Sequence, residues 1–122
     1  EIDKEDEVYD SSMIRLSLEN GAGFHCPQYI EINLQKGFAT VGRYDKNGQA
    51  QADFNFDASL SFVSRVHFRI EKIGEQWQII DLNSPNGTFV NEEALIPNIA
   101  YPLRPNDRIM ISAKNRLTYQ VC

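Results

Sequence analysis

The amino-acid sequence predicts an all-β fold, a sandwich or barrel built from around ten short strands. Short apolar runs recur along the whole chain, and several of them alternate with period two, as half-buried strands do. Turn-forming residues separate these runs, and no longer window of the chain shows convincing helical periodicity. In folds of this kind the strands form a scaffold, and loops at one end of it carry the function.

The predicted strands are short and each is bounded by turn residues. They cover residues 13–18, 29–34, 38–43, 53–56, 66–72, 76–82, 87–90, 93–96, 108–112 and 116–121. The turns between them lie at Lys36-Gly37, Asn47-Gly48, Ile73-Gly74, Asn86-Gly87 and the corner from Pro105 to Asp107. Because turn residues follow so closely on one another, connected strands rather than alternating strands and helices are expected.

The run 66–72 shows the alternation most clearly. One face is predicted to carry Val66, Phe68 and Ile70, and the other His67, Arg69 and Glu71. On this pattern Ser64 and Arg65 stand at the entrance of a strand, and His67 lies on its polar face.

The chain divides into an acidic segment and one domain. Residues 1–12 hold six acidic side chains against one lysine and few apolar ones, so we expect a flexible tail or linker. Residues 13–122 hold 11 acidic and 11 basic side chains and have the length of a single domain. Since no initiator methionine is present, we expect the domain to be part of a larger protein.

Composition excludes several classes of partner and cofactor. A domain with balanced and dispersed charge lacks the basic stripe that nucleic acid requires. No apolar run approaches the length that spans a bilayer, so membrane insertion is not expected. The candidate soft metal ligands, Cys26, Cys122, His25 and His67, stand at irregular separations, so neither a metal site nor a cofactor is predicted. Two cysteines without a disulfide pattern favour an intracellular, cytoplasmic or similarly reducing location.

Three short segments concentrate polar side chains at predicted strand ends or tight turns. They are Gly42-Arg43 at a strand exit, Ser64-Arg65 at a strand entrance, and the turn from Ser84 to Gly87. If these loops share one end of the fold, two guanidinium groups, two hydroxyl groups and one carboxamide come together there. A phosphate monoester, with its charge of about -1.5 to -2 and three strong acceptor oxygens, suits such a set of donors.

The three segments resemble the signature of the forkhead-associated (FHA) domain family. That signature joins a Gly-Arg, a Ser-x-x-His and an Asx-Gly-Thr turn, which here are Gly42-Arg43, Ser64 to His67 and Asn86 to Thr88. The likeness spans residues 13–122. It implies a β-sandwich of about eleven mostly antiparallel strands in two sheets, which binds phosphothreonine in an extended segment of a protein partner and has no catalytic activity.

The resemblance also implies a role for each matching residue. Arg43 and Ser64 would bind the phosphate, Arg65 would add a further polar or basic contact to it, and Asn86 would hold the main chain of the peptide. Ser84, the second hydroxyl residue of the three segments, is a further candidate contact to the phosphopeptide. A second set of matching residues would shape the loops without touching the ligand: Gly42, His67, Gly87 and Thr88.

Departures from the family pattern keep a second interpretation open. Pro85 stands where many members have a hydroxyl residue, and it offers neither hydroxyl nor amide hydrogen. The loop 57–63 is about two residues longer than the common form, and Glu92 replaces a usual glycine. The alternative is therefore a phosphate-independent interaction or scaffold domain with a degenerate pocket.

An enzyme based on Ser64 and His67 is not expected. In an extended strand, side chains three residues apart point to opposite faces and lie about 10 Å apart, beyond the reach of a general base. Binding of the domain's own tail is also disfavoured, because residues 1–12 offer serine and tyrosine but no threonine.

Overall fold

The computed structural model describes residues 11–122, which form eleven β-strands joined by turns and loops and contain no helix. The strands are β1 (Met13–Asn20), β2 (Tyr29–Asn33), β3 (Phe38–Arg43), β4 (Phe54–Phe56), β5 (Phe68–Ile73), β6 (Gln76–Asp81), β7 (Thr88–Val90), β8 (Glu93–Ala94), β9 (Tyr101–Leu103), β10 (Arg108–Ile111) and β11 (Leu117–Val121). Every predicted strand is present, and the predicted all-β sandwich is confirmed. Within residues 11–122, no helix is long and apolar enough to span a bilayer.

The strands form two sheets that pack face to face. The six-stranded sheet has the order β2-β1-β11-β10-β7-β8, and the five-stranded sheet has the order β4-β3-β5-β6-β9. The pairings are antiparallel except for β3 with β4, which run parallel. Alternate residues of both sheets fill the space between them, for example Ile14, Leu117 and Ile79, each of which is fully buried.

Strand β9 has no counterpart among the predicted strands. It contains Pro102, which cannot donate a ladder hydrogen bond and argues against a central strand. In the structure β9 pairs only with β6 and lies at the edge of the five-stranded sheet. An edge position tolerates proline, and a three-residue run is too short to show alternation.

The start of β5 corrects the prediction for residues 66–72. The strand begins at Phe68, so Val66 and His67 belong to the preceding loop. His67 is fully buried and does not share the partly exposed face of Arg69. Phe68 and Ile70 are buried as predicted.

Ser11 and Ser12, which the sequence analysis assigns to the end of the acidic tail, are hydrogen-bonded to the sandwich. Ser11 is buried, and its carbonyl oxygen accepts a hydrogen bond of 2.9 Å from Trp77 Nε1. The carbonyl oxygen of Ser12 accepts another, of 2.6 Å, from the Leu34 amide. These two residues therefore belong to the sandwich, whereas the rest of the predicted tail, residues 1–10, lies outside the described residues.

Strand directions bring the candidate loops to one end of the sandwich. Antiparallel pairing of Val41 with Phe68 places the exit of β3 beside the entrance of β5. Pairing of Phe68 with Asp81 places the exit of β6 at the same end. The turn from β6 to β7 joins them, because the Leu82 amide donates to the His67 carbonyl at 3.0 Å.

Candidate functional site

An open cleft of about 420 Å³ lies between the loops at this end of the sandwich. Four of the predicted site residues line it: Arg43, Ser64, Arg65 and Asn86. They come from the end of β3, the loop before β5 and the turn between β6 and β7, so the cleft exists only because the strand order brings these segments together.

Gly42 allows the loop before β5 to lie against β3. A Cβ atom placed on Gly42 would lie 1.9 Å from the carbonyl oxygen of Arg65 and 2.9 Å from that of Ser64. Real Cβ atoms essentially never come this close to other heavy atoms. Glycine at position 42 therefore allows Ser64 and Arg65 to lie beside Arg43.

Arg43 presents a guanidinium group that residues 11–122 leave mostly unpaired. Its Nη1 donates to the Tyr44 carbonyl at 3.1 Å. Its Nε is buried, yet it has no hydrogen-bond partner within residues 11–122. A buried donor without a partner costs free energy, and the Nη N–H groups that Tyr44 does not engage remain available to an external acceptor.

Asn86 connects the turn between β6 and β7 to the loop before β5. Its Nδ2 donates to the Phe62 carbonyl at 2.9 Å, and its side chain forms no other hydrogen bond within residues 11–122. Because the residue is exposed, its Oδ1 remains available to an external donor.

Ser84 occupies a different position from the other predicted site residues. It is not among the residues that line the cleft. Its hydroxyl donates to Asp81 Oδ1 and accepts from the Gly87 amide at 3.2 Å, while its own amide donates to Asp81 Oδ2 at 3.1 Å. The Ser84 hydroxyl thus fixes the turn from inside.

Asp81 is a structural residue of the site to which the sequence analysis gave no role. It is buried, and its Oδ1 also accepts a hydrogen bond of 2.7 Å from Thr88 Oγ1. Three donors from Ser84 and Thr88 compensate the buried carboxylate, and together they hold both ends of the turn. The Asp-x-x-Ser spacing of Asp81 and Ser84, typical of a local side-chain turn, is the sequence signal that could have indicated it.

His67 links the same two loops from beneath the cleft. Its Nδ1 accepts a hydrogen bond of 3.0 Å from the Ser64 amide, so the ring proton must reside on Nε2. Nε2 lies 3.0 Å from the Gly87 carbonyl oxygen and donates to it. The neutral imidazole thus ties the Ser64 loop to the Asn86-Gly87 turn.

The extended-strand geometry that predicted a separation of about 10 Å between the Ser64 and His67 side chains is wrong. The residues lie in a tight turn, not in an extended strand, and the imidazole contacts the Ser64 backbone directly. Its partner there is the amide, however, and the second ring nitrogen is engaged by Gly87. With both nitrogens occupied, His67 is not placed to deprotonate the Ser64 hydroxyl.

Burial of His67 makes the stability of the domain dependent on pH. Desolvation lowers the pKa of His67 below its ordinary value of 6.5. The unfolded chain therefore binds this proton at a pH where the folded chain does not. We expect the free energy of unfolding to decrease as the pH falls from about 7.5 to 5.5, by up to about 1.4 kcal/mol per pH unit.

Urea unfolding across this pH range measures the effect. The variant His67→Gln, which keeps an acceptor and a donor but does not titrate, should show a flatter dependence. Comparison with His25→Ala, which removes an exposed imidazole, shows whether the change in slope is specific to position 67. An equal slope in the His67→Gln variant would contradict the assignment.

Residues 11–122 contain no cluster of three or more His, Cys, Asp or Glu side chains that could hold a metal ion. Cys26 and Cys122 are both free thiols.

Comparison with known proteins gives consistent results. The family model for the FHA domain matches residues 39–112, more than half of the chain. The chain is 32% identical over 92 residues to Protein FraH of Nostoc sp.; the match covers 75% of this chain and 32% of FraH. The chain therefore spans about a third of the length of that relative.

Solved structures show the same fold. The FHA domain of a hypothetical protein from Arabidopsis thaliana is 27% identical, with a TM-score of 0.66 over 90% of this chain and 84% of that chain. A structure from a structural and functional analysis of phosphothreonine-dependent FHA domain interactions is 28% identical, with a TM-score of 0.61 over 89% of this chain and 94% of that chain.

Proposed function

Because this chain belongs to the FHA domain family, we propose that it binds phosphothreonine in an extended segment of a partner protein. FHA domains are interaction modules and not enzymes. The observation that carries the proposal is the single cleft that Arg43, Ser64, Arg65 and Asn86 share.

The phosphate would bind between the loop that follows β3 and the loop that precedes β5. Arg43 would direct at the phosphate oxygens the Nη N–H groups that the Tyr44 carbonyl does not engage. Arg65, which is exposed beside it, would add a second guanidinium group. The Ser64 hydroxyl would contribute a short, charge-assisted hydrogen bond.

The main chain of the peptide would be held by Asn86. A peptide that lies across loops must have its amide groups satisfied, and the Asn86 Oδ1 can accept from one of them. The Nδ2 bond to Phe62 fixes the orientation of the carboxamide. Ser84, whose hydroxyl is engaged by Asp81, would support binding by holding the turn rather than by touching the ligand.

The relatives support phosphothreonine binding as the function of this domain, but they do not indicate which partner it binds. The structure that is 28% identical comes from work on phosphothreonine-dependent interactions of FHA domains. FraH is matched over only 32% of its length, so it adds support for the domain and not for a partner.

Titration of matched threonine peptides, phosphorylated and unphosphorylated, tests the proposal. We expect the domain to bind the phosphorylated form and Arg43→Ala to weaken that binding at least tenfold. Loss of a charge-assisted hydrogen bond to phosphate corresponds to about 1.5 to 3 kcal/mol. Arg104→Ala is the control, since Arg104 lies with Glu75 and Pro105 at the opposite end of the sandwich.

Pro85 supports the alternative of a phosphate-independent interaction domain. It lines the cleft but offers no donor to a phosphate. Equal binding of the two peptides, or unchanged binding after Arg43→Ala, would favour that alternative and refute phosphothreonine recognition.

A further inference from the structure

A second cleft, of about 290 Å³, adjoins the first and shares two of its arginines. Arg43, Asp45, Lys46, Asn47 and Arg65 line it. Three cationic side chains therefore face one carboxylate, although the charge of residues 13–122 as a whole is balanced.

The cations of this second cleft are not neutralised by ion pairs within residues 11–122. Of the eight other cations within residues 11–122, four form ion pairs with carboxylates: Arg15 with Glu31, Lys36 with Asp53, Arg69 with Glu71, and Arg108 with Glu19. A group of like charges held close together without partners raises the local potential and attracts an anion.

Asp45 is the one carboxylate among the residues that line the second cleft. Hydrogen bonds from its own loop engage this carboxylate and weaken its repulsion of a bound anion. Its Oδ1 accepts from the amides of Asn47 and Gln49, at 2.8 Å and 2.9 Å, and its carbonyl accepts from the Gly48 amide at 2.9 Å. The carboxylate therefore closes the loop in which Lys46 and Asn47 stand. Both of these residues are exposed and line the cleft.

We propose that the second cleft is a subsite for a second negative group on the peptide, a carboxylate or a phosphate. This inference rests on the proposed function. The phosphothreonine, once bound by Arg43 and Arg65, would place the second negative group of the peptide beside these two arginines. It assigns to Lys46 and Asn47 the selection of peptides with an acidic neighbour.

The shared arginines limit how far apart the two negative groups can be. An extended peptide advances about 3.3 Å per residue. If the phosphothreonine and the second negative side chain contact the same guanidinium group, they are separated along the peptide by about two residues at most. The second negative group must therefore lie within two residues of the phosphothreonine, on one side of it.

A peptide series tests this subsite. Each peptide carries one phosphothreonine, and an aspartate or a phosphoserine is scanned over the two positions before it and the two positions after it. At one of these positions we expect aspartate to raise the affinity about threefold to fivefold over alanine, the size of an exposed ion pair. Phosphoserine should raise it further, because it carries about twice the charge.

Lys46→Ala supplies the specific test. We expect the gain from the acidic neighbour to fall below about twofold in this variant, which a double-mutant cycle between protein and peptide measures directly. Lys72→Ala is the matched control, because Lys72 lies at the far end of β5, where its Nζ donates to the Gly74 carbonyl. A peptide with the aspartate many residues away controls for net charge.

The outcomes separate the two proposals. Equal affinity for neutral and acidic neighbours at all positions, or a gain that survives Lys46→Ala, overturns the second subsite and leaves phosphothreonine binding intact. Failure of every phosphothreonine peptide to bind overturns both. A gain with phosphoserine and none with aspartate identifies the second group as a phosphate and supports the subsite.

Discussion

Replacement of Gly42 by alanine is expected to destabilise the domain by about 3 kcal/mol or more and to abolish measurable phosphopeptide binding. The added Cβ would lie 1.9 Å from the Arg65 carbonyl oxygen. That atom belongs to the backbone, so relief requires the whole loop before β5 to move away from β3. Such a movement separates Ser64 and Arg65 from Arg43 and opens the cleft. Urea unfolding and peptide titration measure the two effects.

Gly21→Ala provides a matched control for this substitution. Like Gly42, Gly21 does not adopt a positive φ, and its nearest neighbours would be 3.3 Å from the new Cβ, at Cys26 and Phe24. We expect a change in unfolding free energy below about 1 kcal/mol and unaltered binding. A Gly42→Ala variant with the stability and affinity of the original chain would show that the loop does not rest on β3.

His67→Ala is expected to cost about 3 to 5 kcal/mol of unfolding free energy. The substitution creates a cavity at a fully buried position, and it leaves the Ser64 amide and the Gly87 carbonyl without the imidazole that joined them. Because the loop before β5 and the turn before β7 are then uncoupled, peptide affinity should fall as well, although His67 does not line the cleft.

The conservative variant distinguishes lost hydrogen bonds from lost volume. His67→Gln can offer an acceptor to the Ser64 amide and a donor to the Gly87 carbonyl, so it should retain more stability and more affinity than His67→Ala. If the two variants were equally destabilised, packing rather than the paired hydrogen bonds would explain the role of His67. His25→Ala, at an exposed loop position, should leave unfolding unchanged.

The strands of the sandwich could be predicted because their signals are local. Ile30 and Ile32 of β2 alternate with Tyr29 and Glu31, and the structure buries the first pair and exposes the second. Strand β9 was not predicted, because a strand that contains proline is acceptable only at a sheet edge, and the order of strands decides which strand lies at the edge.

The candidate site was predicted less completely than the fold. The three segments that contain Arg43, Ser64 and Asn86 were identified by their pattern and strand-end positions. The engagement of Ser84 by Asp81 was not, because a side chain that can reach outward to a ligand can equally reach back to its own turn. The second cleft was not predicted either, since Lys46 becomes a neighbour of Arg65 only in the fold.

The sequence by itself determined the fold class, the strand segments and the identity of the polar residues at strand ends, since these depend on periodicity and turn chemistry along the chain. Only the tertiary structure decided which of those residues meet, because strand order and the backbone contact at Gly42 set the distances between loops far apart in sequence. The state of His67 was decided in the same way, since burial and the two hydrogen bonds that select its tautomer come from separate loops.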